Sequence, residues 1–454
     1  MVSRNQEDVE GIQITELTRK LNLPHVLAII VGTVIGSGVF ITIPIVARET
    51  GSPGLAALAW FIGGVVWIPQ ILILAEMATA YPEEGFGYLY LRKAGSKPLA
   101  FLYVWTVFWT SDTPSITIIA LSASSALKIF YPPLEQGIPA KLFAAALIIS
   151  LTYIHYRDVK QGGNVQIVLT IAKLSPLILL AVVGLFHLQS DDLFFAPGSA
   201  SSSKGIWTLL VAGIAATTWS YAGFPNVLYM AGEIKDARKN LPRALIGAAL
   251  GITIAYTLIV LATSAIVPHE RLVGYVGSFA NPFEYLPFFA KFAAAFLAIA
   301  AFISMIGAAS ACIMVQPRIE YAIARDGLFF STFAHVHPRY QTPDYSILLQ
   351  SGLAIALLLV GNIESLLGYF TLSYLLQNAL VYLALFKLRR LPDYHPTFRA
   401  PIWWLMAGAA ILTQLYLAYG TFVAYPLGGV LSAAVLIGSG LPIYFYFASK
   451  LPHQ

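Results

Sequence analysis

Two apolar stretches of the chain are interrupted by residues that disfavour a continuous helix. The first stretch contains Gly36-Ser37-Gly38 near its middle, and the second contains Gly223 and Pro225. Glycine loosens a helix, whereas proline lacks a backbone N–H and clashes with the preceding turn. Because a broken helix leaves N–H groups free at one end and C=O groups free at the other, each break can bind a charged ligand.

A small zwitterion, with one carboxylate and one ammonium group, matches such a pair of breaks. The amides of Ser37 and Gly38, next to Gly36, offer partial positive charge to the carboxylate, and the Ser37 hydroxyl adds a donor. The Val34 carbonyl offers partial negative charge to the ammonium. The carbonyls that complete the ammonium site belong to Trp219, Ser220 and Ala222.

Two large aromatic residues, Trp219 and Tyr221, flank the second break. They could act as a gate that excludes water from a bound ligand, and ordinary packing in the protein interior is the alternative. Close helix packing is likewise the alternative for an isolated Gly-Ser-Gly. The same tripeptide recurs at 438–440 in the last apolar stretch, where we predict packing alone.

Lys173 is a charged residue about ten positions into an apolar stretch. An ammonium group at that depth of a bilayer costs at least about 2.5 kcal/mol, so a functional role is expected. Two roles are open. It could be a fixed positive charge that tethers the first and eighth spans in the place of a bound Na⁺, or a lysine that exchanges a proton.

Asp112 raises the same question with the opposite charge. It could face a ligand cavity and attract a cation, pair with Lys173, or satisfy the backbone gap left by Pro114. Glu76, near the end of another apolar stretch, is predicted to have a structural hydrogen-bonding role. The chain has no HExxH motif, no paired carboxylates within a span and no nucleotide-binding loop. We therefore expect no enzyme, no metal site and no cofactor.

Composition places this arrangement in a membrane. Of the 454 residues, 58% are hydrophobic and 11% are charged, against about 25% charged in soluble domains. The net charge of +5 comes from basic residues spread over short loops, so we expect a lipid bilayer as partner and no nucleic acid. The only cysteine, Cys312, lies in an apolar run and is predicted to be a small buried residue.

Apolar runs of about 20 residues, each long enough to cross a bilayer, recur along the chain. They predict an all-α membrane protein with twelve transmembrane helices, at about 25–48, 54–80, 98–128, 140–156, 163–187, 206–232, 243–267, 285–316, 344–362, 365–387, 402–424 and 427–448. Segment 317–343 is expected to be a linker. The bias of basic residues toward one set of loops predicts that both termini are cytoplasmic.

The two breaks fall in the first and sixth spans, five spans apart. An odd offset gives the two units opposite orientations, as an inverted repeat requires. We therefore predict a five-plus-five inverted repeat with two broken helices plus two extra helices. Its parts are a cytoplasmic tail at 1–24, a first repeat at 25–187, a second repeat at 206–390 and two added helices at 401–448.

Several motifs resemble one family, the amino acid-polyamine-organocation superfamily. Within it, the chain is similar to the L-type amino acid transporters and bacterial serine/threonine exchanger-like permeases. The matching segments are 32–40, Glu76 with 81–85, 173–174, 221–224, 232–235, 239–244, 317–318, 324–327, 335–338, 342–343 and 440–444. They extend over essentially the whole chain.

The resemblance implies Na⁺-independent amino acid transport, usually by exchange. It also implies that Lys173 is the lysine that takes the place of a bound sodium ion in this family. It assigns the carboxylate motif to Ser37 and Gly38, and the gate to Trp219. The residues that depart from the family pattern are Phe86, Asp112, Ala222 and Phe224-Pro225. Related eukaryotic transporters have a cysteine after the third span for a disulfide-linked heavy-chain subunit. Segment 131–137 has none, so no such subunit is expected.

The sequence therefore predicts a plasma-membrane exchanger of neutral L-amino acids that works by alternating access. A proton-coupled symporter of amino acids or polyamines, using Lys173 or Asp112, is the alternative within transport. A sensor that binds an amino acid without transporting it is the alternative of another class.

Overall fold

The computed structural model describes residues 16–36, 38–188, 205–275, 280–360, 363–424 and 426–451. In these ranges regular structure is helical, and the only extended pairing is one isolated bridge between Leu21 and Ile234. The expectation of an all-α fold is confirmed for the described chain. Ser37 lies outside the described residues.

The α-helices of the described residues, numbered in chain order, are α1 Leu23–Val34, α2 Gly38–Thr50, α3 Pro53–Ala80, α4 Gly87–Lys93, α5 Lys97–Val107, α6 Thr113–Ala126, α7 Gly137–Arg157, α8 Val159–Leu185, α9 Ile206–Thr217, α10 Ala237–Ile266, α11 His269–Gly274, α12 Ala293–Val315, α13 Arg318–Arg325, α14 Asp344–Leu357, α15 Ile363–Leu388, α16 Trp403–Ala424 and α17 Pro426–Ala448. A π-helical turn, Phe108–Asp112, joins α5 to α6. The 3₁₀ segments are Pro132–Leu134, Thr218–Tyr221, Phe224–Glu233, Pro282–Tyr285 and Ser331–Ala334.

Local capping signals set where helices begin. Before α3, the Ser52 hydroxyl accepts the Leu55 N–H at 3.3 Å. Before α8, Asp158 Oδ1 accepts the N–H groups of Lys160 at 2.7 Å and Gln161 at 3.0 Å. These side chains satisfy N–H groups that have no partner within the helix.

Eight helices of the described chain are long and apolar enough to cross a membrane. Three further apolar helices, α1, α9 and α14, are shorter. Each of the twelve predicted apolar runs contains described helix, whereas the short helices α4, α11 and α13 lie outside the runs. The first and sixth runs are divided where the sequence predicted breaks. The interruptions therefore lie in the same two runs that the glycine and proline pattern identified.

Two predicted boundaries are wrong. The run predicted at 285–316 begins as an α-helix only at Ala293, after the 3₁₀ turn Pro282–Tyr285. The predicted linker 317–343 begins with α13, whose residues 318–324 are buried. Charge misled the second prediction, since Arg318 is buried only because Glu233 neutralises it.

The broken first helix lies at the centre of the molecule. Helix α1 packs against α8, α10 and α12, while α2 packs against α9. The largest buried apolar cluster includes residues of α1, α3 and α10. The breaks are thus held by neighbours on several sides.

The end of the predicted N-terminal tail belongs to the fold. The N–H groups of Lys20 and Leu21 donate to the Glu233 carbonyl at 2.9 and 3.1 Å, and the Lys235 N–H donates to the Leu21 carbonyl at 2.9 Å. Leu17 is buried in a small apolar cluster with α13. Residues 17–22 therefore clasp the end of the sixth run.

The two structural predictions made for Glu76 and the late Gly-Ser-Gly are confirmed. Glu76 accepts hydrogen bonds from Arg389 at 2.6 and 2.7 Å and from the Tyr394 hydroxyl at 2.9 Å. Residues 438–440 lie inside the continuous helix α17, and a side chain at Gly440 would meet Trp105 at 2.9 Å. This second Gly-Ser-Gly is a packing contact.

Candidate functional site

The first break begins where α1 ends. Ile35 has an extended backbone, with ψ of 92°, and its N–H makes the last helical bond, to Val31. The Gly36 N–H turns back to the Val34 carbonyl at 3.1 Å. The carbonyls of Gly32 and Ile35 are then available to other donors.

Lys173 supplies those donors from α8. Its ammonium donates to the carbonyls of Ile35 at 2.6 Å and Gly32 at 3.1 Å, and the residue is 1% exposed. The ammonium lies at the C-terminal end of α1, where the helix dipole is negative. A side chain at Gly307 of α12 would meet Lys173 Cε at 2.9 Å, so the eighth run encloses the lysine stem.

The second break touches the first. Ala222 and Gly223 separate the 3₁₀ segments Thr218–Tyr221 and Phe224–Glu233. Gly223 has φ of +113°, and a Cβ there would lie 2.6 Å from the Thr33 carbonyl oxygen. The Thr33 hydroxyl donates to the Gly223 carbonyl at 3.0 Å. Only glycine suits this position, on grounds of both dihedral angle and space.

Gly36 differs from Gly223 in its surroundings. The nearest atom to a Cβ at Gly36 would be Ala308 Cβ at 3.9 Å, which is ordinary contact. Close packing of helices therefore does not explain this glycine.

The residues predicted to bind the ammonium lie around the same two breaks. Tyr256 of α10 donates its hydroxyl to the Val34 carbonyl at 3.4 Å. The Ser220 hydroxyl donates to Thr42 of α2 at 3.0 Å, and Ala222 is partly buried against the main apolar core. Sequence reasoning missed Tyr256, whose only signal was a phenol within an apolar run.

Of the two predicted gate residues, the structure describes the side chain of Tyr221 but only the backbone of Trp219. Tyr221 is buried, donates to the Trp60 carbonyl at 2.8 Å, and packs against the rings of Trp60 and Tyr256 with centroids 5.9 and 5.2 Å away. The backbone of Trp219 lies in a 3₁₀ turn, and its side chain lies outside the described part. Gating by either residue stays a prediction.

The hydrogen-bond partners of Asp112 differ from those of Lys173. It ends the π-helical turn and is 2% exposed, with the hydroxyls of Ser111 and Tyr229 nearby. The Ser115 hydroxyl donates to its backbone carbonyl at 2.8 Å, so a neighbouring serine satisfies the backbone beside Pro114. No ion pair joins Asp112 to Lys173 in the described residues.

A buried ion pair lies at the end of the sixth run, after the second break. Arg318 of α13 donates to the Glu233 carboxylate at 2.7 and 3.3 Å, and also to the Met314 carbonyl. Sequence reasoning noted both residues only as parts of motifs and did not pair them. Among the described residues, no group of three or more His, Cys, Asp or Glu could hold a metal ion.

Comparison with known proteins places this geometry in context. A family model described as amino acid permease matches residues 21–445. A serine/threonine exchanger, SteT of Bacillus subtilis, is 28% identical, with 94% of this chain and 97% of the relative aligned.

Two animal transporters are similar over comparable lengths. The b(0,+)-type amino acid transporter 1 of Mus musculus is 27% identical, covering 98% of this chain and 92% of the relative. The Asc-type amino acid transporter 1 of Homo sapiens is 27% identical, covering 94% and 82%. The similarity therefore extends over both breaks and nearly all of the helices.

Proposed function

The chain belongs to the amino acid permease family, and we propose that it is a Na⁺-independent exchanger of neutral L-amino acids in the plasma membrane. It is a multi-pass membrane protein, as its long apolar helices and its family indicate. Transport proceeds by alternating access, in which one helix bundle moves against the other around a site near the middle of the bilayer.

The proposed architecture has twelve spans with both termini in the cytoplasm. The pair α1 and α2 forms the first span, and α9 with its 3₁₀ continuation forms the sixth. The segment α5, π-turn and α6 forms the third. Four repeat-related pairs pack together, namely spans one with six, two with seven, three with eight and four with nine. This pattern supports an inverted repeat of 25–187 and 206–390, followed by two added helices at 401–448, with 1–24 as the cytoplasmic tail.

The substrate site is proposed at the contact between the two breaks. The amides at Ser37 and Gly38, beside Gly36, bind the carboxylate. Carbonyls of the first and second breaks bind the ammonium, and they belong to Val34, Trp219, Ser220 and Ala222. The contact of Thr33 with Gly223 supports this assignment, since it brings the two breaks within hydrogen-bonding distance of each other.

The observation that carries the Na⁺-independent mechanism is the position of the Lys173 ammonium. It donates to two carbonyls at the end of α1. Such carbonyl groups at a helix break are the ligands a sodium ion would take in other transporters with this plan. An ammonium group of the protein at these carbonyls would remove the need for a bound sodium ion.

Exchange and neutral substrates are supported by one relative, which is described as a serine/threonine exchanger. Cys312, the only cysteine, is buried, so we propose that the chain works without a disulfide-linked heavy-chain subunit.

The test is transport in liposomes that contain the purified full chain. Radiolabelled serine or alanine should enter rapidly when the liposomes hold unlabelled amino acid and slowly when they are empty. Replacing external Na⁺ by choline should leave the rate unchanged. Uptake into empty liposomes driven by Na⁺ would refute Na⁺ independence, and uptake driven by a pH gradient would favour proton symport. If the protein bound amino acid but transported none, only the sensor hypothesis would remain.

A proton-coupled symporter is the second candidate, and one observation favours it. Asp112 is buried without a cationic partner in the described chain, and intramembrane carboxylates in transporters often relay protons. The imposed pH gradient in the liposome experiment separates the two candidates directly.

A further inference from the structure

A buried acidic pair lies apart from the two breaks, between the third proposed span and helices α13 and α14. Asp112 and Glu320 are each 2% exposed. Neither carboxylate forms an ion pair within the described ranges. One oxygen of each, Asp112 Oδ2 and Glu320 Oε2, lacks a hydrogen-bond partner there.

Polar side chains lie between the segments that carry the two acids. Ser115 donates to the Asp112 carbonyl at 2.8 Å, and Gln316 Nε2 donates to the Ser115 hydroxyl at 3.1 Å. Gln316 lies in the turn between α12 and α13, four residues before Glu320. Gln350 of α14 donates to Glu320 Oε1 at 3.4 Å.

This group of polar side chains contains more acceptors than donors. Besides the two carboxylate oxygens, the amide oxygens Gln316 Oε1 and Gln350 Oε1 have no partner in the described chain. A buried acceptor without a donor costs about 1–3 kcal/mol, and more when it is charged. Protonation of a carboxylate turns one acceptor into a donor and removes a buried charge.

Two ionised carboxylates in one poorly solvated region would repel each other, which favours the neutral form of at least one of them. The titratable groups that face Asp112 are phenols and a thiol from four other segments: Tyr103, Tyr229, Cys312 and Tyr374. None of these supplies a positive charge.

The nearest cations are engaged elsewhere. The Lys173 ammonium, which acts on Cys312, is bonded to the α1 carbonyls. Arg318, two residues before Glu320, is paired with Glu233. Neither acid is therefore paired with a cation in the part of the chain that the structure describes.

We propose that Asp112 and Glu320 form a proton-binding site in which the two carboxyl groups hold at least one proton taken from water. The site links the π-turn of the third span to α13 and α14. It does not depend on whether the chain exchanges amino acids, because an exchanger and a symporter could both contain it.

Infrared difference spectroscopy of the detergent-purified full chain at neutral pH tests the proposal. We compare wild type with Asp112→Asn, Glu320→Gln and the double variant, using Glu135→Gln as control, because Glu135 is an exposed partner of Lys128. The wild-type spectrum should contain a deuterium-sensitive carbonyl band of a protonated acid that weakens in each single variant and disappears from the double variant. A spectrum without such a band, or with an equal band in wild type and double variant, would overturn the proposal.

Thermal unfolding of the wild type gives a second readout that needs no variant to fold. A native state that holds extra protons loses stability as pH rises, so the melting temperature should fall toward alkaline pH. The double variant should show a flatter dependence. If Na⁺ or K⁺ raised the wild-type melting temperature while no acid band was present, a metal cation would occupy the site and the proton proposal would be wrong.

Discussion

The guanidinium of Arg318 and the carboxylate of Glu233 form an ion pair at 2.7 Å with both side chains 1% exposed or less. Removing one partner leaves an uncompensated buried charge. Glu233→Gln should therefore destabilise the protein by about 3–5 kcal/mol, measured by thermal or denaturant unfolding in detergent. The control is Glu49→Gln, which breaks the exposed pair with Arg48 and should cost less than about 1 kcal/mol. Equal effects would contradict the assignment.

Lys173→Ala should slow amino acid exchange by about tenfold or more, since a hydrogen bond to a charged group contributes about 1.5–3 kcal/mol. The change removes the ammonium donor from the carbonyls of Gly32 and Ile35. The Ile35 carbonyl then keeps only the long bond from the Ser304 hydroxyl, at 3.5 Å, which lets the break relax. Counterflow in liposomes measures the rate. Lys128→Ala, which removes an exposed ammonium paired with Glu135, should have wild-type activity. A fully active Lys173→Ala protein would show that the tether is dispensable.

Gly223→Ala should destabilise the protein by about 1–3 kcal/mol, because its positive φ and the Thr33 carbonyl 2.6 Å from the new Cβ both oppose the side chain. Gly247→Ala is the matched control. Gly247 lies within α10 with open space around it, so alanine should leave stability equal or slightly higher through its helix propensity. The melting temperature should fall for Gly223→Ala and stay the same or rise for Gly247→Ala, and an equal decrease in both would argue against the contact of the two breaks.

The Asp158 carboxylate predicts that the folded state loses stability at acid pH. Partial burial alone would raise its pKa, but the N–H groups of Gln161 and Lys160 and the Lys20 ammonium outweigh burial and lower the pKa below 3.8. The folded state then binds protons less readily than the unfolded chain, so this stabilisation is present above pH 3.8 and is lost as pH falls through the lowered value.

Asp158→Asn isolates that effect, because asparagine still caps α8 but has no charge to titrate. Melting temperatures recorded from pH 6 to pH 3 should fall less steeply for the variant than for wild type. Parallel curves would mean that the carboxylate is not stabilised in the fold.

The sequence predicted the main architectural features because local chemistry controls them. Apolar runs predicted the helices, and the glycines and proline at the two interruptions predicted the breaks. A lysine in an apolar run predicted an unusual environment, since burial of a charge needs compensation. These inferences required no knowledge of which residues meet in space.

Contacts between distant parts of the chain were beyond sequence reasoning. The bonds of Thr33 to Gly223 and of Tyr256 to Val34 join residues about 200 positions apart. Helix α13 was missed because its charged residues resemble a solvent-exposed linker until the partner carboxylate of Arg318 is known. The π-turn at 108–112 has no periodic signal, so the sequence could not separate it from a continuous helix.

The clasp of residues 17–22 onto Glu233 and Lys235 couples the two broken runs mechanically. Three backbone hydrogen bonds join the segment just before α1 to the end of the sixth run. Because of these bonds, a displacement of the first run at this end would also displace the sixth run. At the breaks, the hydrogen bond from Thr33 to Gly223 forms a second connection between the two runs. The two interrupted helices are thus joined at two places, so in the proposed alternating-access cycle they would move together relative to the surrounding helices.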